Sequence, residues 1–300
     1  MKFKVIIPMI LIVFCICLIT IFVFFRRNPE GPRAIILDNL GLDGESPSGE
    51  DIPFVQETKE LLEGIGVKVD YMGVNNVTLG VYQDLAKYNL IILRVHSGLL
   101  VGEKEEVVCF FTSEPLRENL DKYGEWFSKG YLANATLELR DDGTKKHFIG
   151  VKPDFISNCL NGEFENSIII AMGCNSLESY SMARAFVDDR KALMYIGWTR
   201  DVTADCTDNA TLELLKRFFQ KNQKVKEAIK RLKDSVTQAV LKYYPDRAAE
   251  LRPKEIIEQL LNKKSSFISD SIDAFSWVLL ITLSTSNWFD SCYRRFFRKF

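Results

Sequence analysis

Two short apolar runs constrain this chain more than anything else in it. Asn89-Leu90-Ile91-Ile92-Leu93-Arg94-Val95 runs into His96-Ser97-Gly98, and Ser167-Ile168-Ile169-Ile170-Ala171-Met172-Gly173 runs into Cys174-Asn175-Ser176. Runs this rich in Ile, with no helical spacing, read as strands buried on both faces of a parallel sheet. In open α/β sheets the active site lies just beyond the carboxyl ends of such strands. A histidine after one strand and a cysteine after another is therefore a candidate dyad. The chain has only two histidines, which narrows the choice of base.

The residues around these runs predict the rest of the sheet. Ala34 to Leu37 reads as a first strand ending at Asp38, Val67 to Met72 as a second and Leu90 to Val95 as a third. Helical spacing over Phe54 to Ile65 and Val77 to Tyr88 separates them. The order βαβαβ predicts a doubly wound, mainly parallel sheet with right-handed crossovers. Further strands are expected at Ile168 to Met172 and Ala192 to Gly197. Further helices are expected at Tyr180 to Val187, Thr207 to Gln220, Lys224 to Val240 and Pro253 to Leu261. Between them the pattern changes. Val107 to Phe111 looks like an extra strand, and Ala135 to Arg140 and Lys146 to Val151 flank the turn Asp141-Asp142-Gly143. Residues 99–158 thus read as an inserted β-hairpin region within an α/β domain spanning 33–265.

The termini read differently. Val5 to Phe25 is an uncharged, mostly apolar run flanked by Lys2, Lys4, Arg26 and Arg27. That length spans a bilayer as a helix, and no cleavage site follows, so an uncleaved anchor over 1–32 is expected. Ala274 to Phe289 is a second uncharged stretch. With the basic, aromatic tail Arg294-Arg295-Phe296-Phe297-Arg298-Lys299-Phe300, it gives 266–300 a membrane-proximal character, against the plainer alternative of a surface helix. A single-pass membrane protein in contact with lipid is the expected localisation, with the domain on the outer side slightly favoured. The sequons at Asn76, Asn134 and Asn209 permit glycosylation there but arise easily by chance.

Composition excludes several function classes. A net charge of −1 and the lack of a basic patch argue against nucleic acid as a partner. No P-loop occurs. The seven cysteines show no zinc-type or disulfide-type spacing, so no metal or organic cofactor is expected. A phosphatase loop needs arginine where Tyr180 stands.

What remains is nucleophilic catalysis. A cysteine nucleophile needs a base to form its thiolate, and donors aimed at the developing oxyanion. His96 supplies the base and Cys174 the nucleophile. The backbone N–H groups of Gly98 and Cys174 are the candidate oxyanion donors. Asp38 ends the first strand and either lines the same crevice or caps a turn. His147 sits on the predicted hairpin, and Cys109, Cys159 and Cys206 read as packing residues.

These motifs resemble the caspase-like, clan CD cysteine peptidases, nearest to CHAT- and gingipain-type domains. In that family a hydrophobic strand ends in a His-Gly pair and a later strand in Ala-Cys or Gly-Cys. The matching positions are His96, Gly98 and Gly173-Cys174-Asn175-Ser176. The strand Met194-Tyr195-Ile196-Gly197-Trp198 and the segment Val225-Lys226-Glu227-Ala228 also fit. The resemblance covers roughly 33 to 241 and implies a caspase-haemoglobinase-like sheet and a peptide or protein substrate. It also makes Asp201 and Asp205, after the Trp198 strand, candidates for a pocket selecting Lys or Arg, against the plainer reading of solvated loop acids. The chain departs from the family at Ser97, which separates His96 from Gly98, and Ser97 N–H is an alternative donor. Two functions are expected from these residues: a membrane-anchored cysteine peptidase, or a non-catalytic, membrane-tethered α/β binding or sensor module. Oligomeric state is not encoded in any motif.

Overall fold

The computed structural model describes residues 31–100, 102, 106–139, 142–263 and 265, of which Pro32–Glu258 form one compact unit. Two sheets organise it. The larger contains β1 (Arg33–Asp38), β2 (Lys68–Met72), β3 (Leu90–Arg94), β8 (Ile168–Ala171), β9 (Met194–Trp198) and β10 (Leu241–Tyr244), in the order β10-β9-β8-β3-β1-β2. All its pairings are parallel except β10 with β9. The smaller sheet is antiparallel, in the order β4-β5-β7-β6, built from β4 (Ser97–Leu99), β5 (Val108–Pro115), β6 (Leu132–Glu138) and β7 (Lys145–Val151).

Strand periodicity explains why the central strands are apolar throughout. Ile35, Leu37, Ile91, Leu93, Val95, Ile169 and Ala171 share one core with α2 (Leu79–Gln83), α4 (Pro153–Cys159) and α5 (Ser181–Arg184) through Leu79, Tyr82, Phe155, Ile156 and Met182. The alternate residues Ile36, Ile92 and Ile170 are equally buried. They belong to the opposite face, which carries Arg94 and is covered by α1 (Pro53–Glu63) and α6 (Ala204–Phe219). Successive side chains of a strand thus meet helices on both sides, and no position of β3 or β8 is left for water.

Arg94 is the exception to apolarity and is fully buried. Its Nη1 donates to Asp38 Oδ1 at 2.6 Å, and Nε and Nη2 donate to the two oxygens of Asp208 on α6, both at 2.8 Å. Tyr71 on β2 donates its hydroxyl to the other Asp38 oxygen at 2.9 Å. The fork geometry of guanidinium satisfies both carboxylates at once. One residue therefore joins β1, β2, β3 and α6 beneath the carboxyl ends of the strands.

The smaller sheet is fixed to the core by Glu114, whose carboxylate accepts the Leu79 N–H at the start of α2 and the Tyr123 hydroxyl, both at 2.7 Å. Tyr123 lies on α3 (Leu116–Ser128), between β5 and β6, and Trp126 of the same helix packs edge-on against Phe155.

Three sequence expectations are corrected. The hairpin expected within 99–158 forms as β6 and β7, but the inserted region is larger than a hairpin: it is a four-stranded antiparallel sheet with α3 between its strands and α4 after them, and it begins at Ser97, directly after the candidate base. The helix expected over Lys224 to Val240 is only α7 (Val225–Ala228). Beyond it Arg231 and Gln238 take positive φ, and the Asp234 carboxylate accepts the N–H groups of Val236 and Thr203, pinning a loop that leads into β10. Finally, the fold class and localisation were expected to include a membrane helix. Among the described residues no helix is long and apolar enough to cross a membrane. Those present are short or amphipathic: α6 buries Leu214, Leu215 and Phe218 on one side and leaves Asp205 and Asn209 exposed. Val5 to Phe25 and Ala274 to Phe289 lie outside the described residues. The described fold is therefore α/β, with one mostly parallel and one antiparallel sheet.

Removing the Arg94 side chain leaves Asp38 buried beside Tyr71 with no counter-charge. Arg94→Ala is expected to destabilise the domain by about 3–5 kcal/mol, the usual penalty for breaking a buried ion pair. Urea denaturation checks this; a loss under about 1 kcal/mol would mean that the pair is solvated, as surface pairs are.

Candidate active site

The pairing of β3 with β8 aligns the two candidate residues. Leu93 pairs with Ala171, so continuing the parallel register brings Val95 beside Gly173 and His96 beside Cys174. Gly173 shows how closely the two chains approach. A Cβ there would stand 2.3 Å from both the Val95 carbonyl oxygen and Ser97 Oγ. Only glycine fits between the strand ends, and the sequence supplies it one residue before the cysteine.

Cys174 sits at a sharp turn. Asn175 has φ of 56°, the left-handed region that asparagine tolerates better than most residues. The turn is fastened on three sides. Asn175 N–H donates to the Arg200 carbonyl at 2.9 Å, and its Nδ2 donates to Asp201 Oδ1 at 2.6 Å. Ser176 Oγ donates to the Ala171 carbonyl and accepts the Trp198 N–H. Ser97 Oγ donates to the Cys174 carbonyl at 2.6 Å. The thiol itself exchanges contacts with Val202, accepting its N–H at 3.4 Å and facing its carbonyl at 3.5 Å. Burial, the largest influence, raises the Cys174 pKa above the ordinary thiol value, and the Asp201 carboxylate adds to it, outweighing the Val202 N–H. At neutral pH the group is a thiol, so a base must take its proton during reaction.

His96 is held by the loop after β1. Its Nε2 lies 2.8 Å from the Leu40 carbonyl oxygen, which can only accept, so the neutral ring carries its hydrogen on Nε2. The basic lone pair is then on Nδ1, which no hydrogen bond engages among the described residues. Burial lowers the His96 pKa, against the opposing pull of the Leu40 carbonyl and of Asp43, whose Oδ2 lies 4.0 Å away. The imidazole is therefore neutral at pH 7, the form a general base requires. Asn39, fully buried, sets the main chain. Its Oδ1 accepts the His96 N–H at 2.9 Å and its Nδ2 donates to the Phe111 carbonyl at 2.8 Å. An asparagine amide is thus spliced into the end of the β4–β5 ladder.

That ladder decides which backbone N–H groups remain as candidate oxyanion donors. Phe111 N–H donates to the His96 carbonyl and Leu100 N–H to the Val107 carbonyl. Antiparallel pairs alternate, so Gly98, opposite Cys109, falls in the hydrogen-bonded register. Ser97, opposite Phe110, points its N–H away from β5. The first free donor after the base is therefore that of Ser97, and no backbone carbonyl accepts the Cys174 N–H among the described residues.

His96 and Cys174 are not hydrogen-bonded to each other in this arrangement. His96 leans toward the loop after β1 and Cys174 toward the loop after β9. The expected pocket acids disperse. Asp38 has both oxygens engaged beneath the site, by Arg94 and Tyr71. Asp201 is exposed and bound to Asn175; Asp205 is exposed in the first turn of α6. His147 is exposed on β7 beside Asn134 and Thr136. Cys109 is buried, with its pKa pushed up to about 12 by burial, and burial raises Cys206 to about 11. No group of His, Cys, Asp and Glu able to hold a metal occurs among the described residues. Sequence reasoning missed Asn39, the Leu40 carbonyl, Arg94 and Asp208. Only Arg94, a charge inside an apolar run, left a visible signal. No protein-family model matches this chain, and no curated protein matches it.

Two outcomes follow from this geometry. Gly173→Ala is expected to cost about 1–3 kcal/mol, the range for forced overpacking. Gly98→Ala, whose added Cβ meets nothing within 4 Å, is expected to stay within ~0.5 kcal/mol. Equal melting temperatures for the two variants would contradict the close approach at Gly173. Because the folded His96 pKa is depressed, its contribution to stability is complete above the unfolded value near 6.5. It is lost as pH falls through that value toward the folded pKa. Wild type is therefore expected to lose stability relative to His96→Gln between about pH 7 and pH 5. A constant difference over that range, measured by urea denaturation, would contradict a buried neutral imidazole.

Proposed function

We propose that this domain is a cysteine peptidase, with His96 as general base and Cys174 as nucleophile. The observation that carries the reading is the placement of the two residues. They follow neighbouring parallel strands in register, at the carboxyl edge of the sheet, with two N–H groups beside them.

In the described arrangement the two side chains lean apart, so the first step requires Cys174 Sγ and His96 Nδ1 to turn toward each other. His96 Nδ1 takes the thiol proton as Cys174 Sγ attacks a peptide carbonyl carbon. The oxygen becomes an oxyanion, met by the N–H groups of Ser97 and Cys174. The imidazolium, its Nε2–H still on the Leu40 carbonyl, returns the proton to the departing amine. Water then gives a proton to Nδ1 and attacks the thioester, releasing the acid and restoring the thiol. The strand order supports the resemblance to caspase-like peptidases: three parallel strands ordered β2-β1-β3, then the cysteine strand, then β9 and antiparallel β10. The alternative, a non-catalytic binding or sensor module, draws on the contacts that hold Cys174 Sγ to Val202 rather than to His96.

Comparative alkylation separates the two. With limiting iodoacetamide at neutral pH, Cys174 is expected to label before Cys109, Cys159 and Cys206, and His96→Ala to slow it by about a hundredfold, the lower range for a general base. Cleavage of an unfolded protein substrate is expected to vanish in Cys174→Ala with little change in melting temperature. Labelling of Cys174 that ignores His96 would favour the binding module.

A further inference from the structure

We infer that Ser97 is a positioning residue of this site: its hydroxyl holds the turn carrying Cys174 against the loop carrying His96. The inference rests on the peptidase reading and concerns how its two halves are kept together. The base and the nucleophile belong to different chain segments, and each is drawn outward. His96 Nε2 is bound to the loop after β1, and Cys174 Sγ to the loop after β9. A side-chain hydrogen bond that crosses between the two segments is Ser97 Oγ to the Cys174 carbonyl, 2.6 Å long.

Its placement suits the role. Ser97 is the residue after the base, and its own N–H is the free oxyanion donor. The acceptor is the peptide between Cys174 and Asn175, whose orientation sets both the left-handed φ of Asn175 and the direction of the cysteine turn. One hydroxyl therefore fixes the two residues whose N–H groups must converge on a single oxygen. Gly173 makes the bond possible, since any side chain there would occupy the space of Ser97 Oγ. A glycine at position 97 would leave the segments joined here only by their main chains. The serine thus reads as part of the site rather than as a departure that disables it.

The test measures the rate of Cys174 alkylation by iodoacetamide on the full chain, from about pH 5 to about pH 10, the span over which histidine and cysteine titrate. Charged groups near the pair are Asp43, Arg94 and Asp38 about His96, and Asp201 about Cys174; all stay unchanged. Wild type, His96→Ala, Ser97→Ala and Ser97→Thr are compared, with Ser97→Gly as the substitute if the alanine variant does not fold. Ser97→Ala is expected to lose roughly three- to tenfold in rate near neutral pH, the worth of one hydrogen bond, and to converge on wild type as rising pH ionises the thiol. Ser97→Thr, which keeps the hydroxyl, is expected to follow wild type. A role in stability alone would lower the melting temperature and leave the profile unmoved, and that result overturns the inference. If wild type and His96→Ala give the same profile, the peptidase reading fails first.

Discussion

The buried guanidinium of Arg94 is the interaction on which the site depends. It is the last residue of β3, two before His96, and it joins the carboxylates of Asp38 and Asp208 with no exposure to water. A charge in that position is costly unless every donor finds an acceptor. Satisfying it fixes the end of β1, the side of α6 and the end of β3 relative to one another. Asp38 begins the segment that supplies Asn39 and Leu40, the two residues holding His96. The ion pairs therefore act on the base indirectly, by setting where the Leu40 carbonyl stands.

Two loops then divide the work. The loop after β1 orients His96, the proposed base, through a carbonyl acceptor, which selects the tautomer. The loop after β9 holds Cys174, the proposed nucleophile, through Val202 and its turn through Arg200 and Asp201. Between them lies the narrow contact of Gly173 with Val95 and Ser97. The second sheet contributes the direction of the Ser97 N–H, because its ladder consumes the N–H groups on alternate residues. Burial keeps both side chains neutral, the His96 imidazole by lowering its pKa and the Cys174 thiol by raising its own. Such a pair suits transfer of one proton at the moment of attack rather than a standing ion pair.

Much of this was legible in the sequence because the central strands are buried on both faces. A continuous apolar run reports its own burial, and the residue that follows it marks the carboxyl edge. What was not legible depends on partners distant in sequence. Asp208 lies far along the chain from Arg94, and nothing in the local pattern of α6 distinguishes it from Asp205. Lys224 to Val240 misled because Val225, Ala228, Ile229 and Leu232 keep helical spacing, while Asp234 captures backbone N–H groups and turns the chain into β10. The second sheet was underestimated because β4 is short and lacks apolar periodicity. It exists because its backbone pairs with β5.

The central claim is that His96 holds its proton on Nε2, which leaves Nδ1 as the lone pair proposed to serve Cys174. Nitrogen-15 NMR of the histidine rings tests it most directly, in His147→Gln protein so that His96 is the only signal. At neutral pH the account predicts a protonated Nε2, an unprotonated Nδ1, and a shift of the Nδ1 resonance when Cys174 is alkylated. A proton found on Nδ1, or an Nδ1 signal indifferent to the state of Cys174, would contradict it.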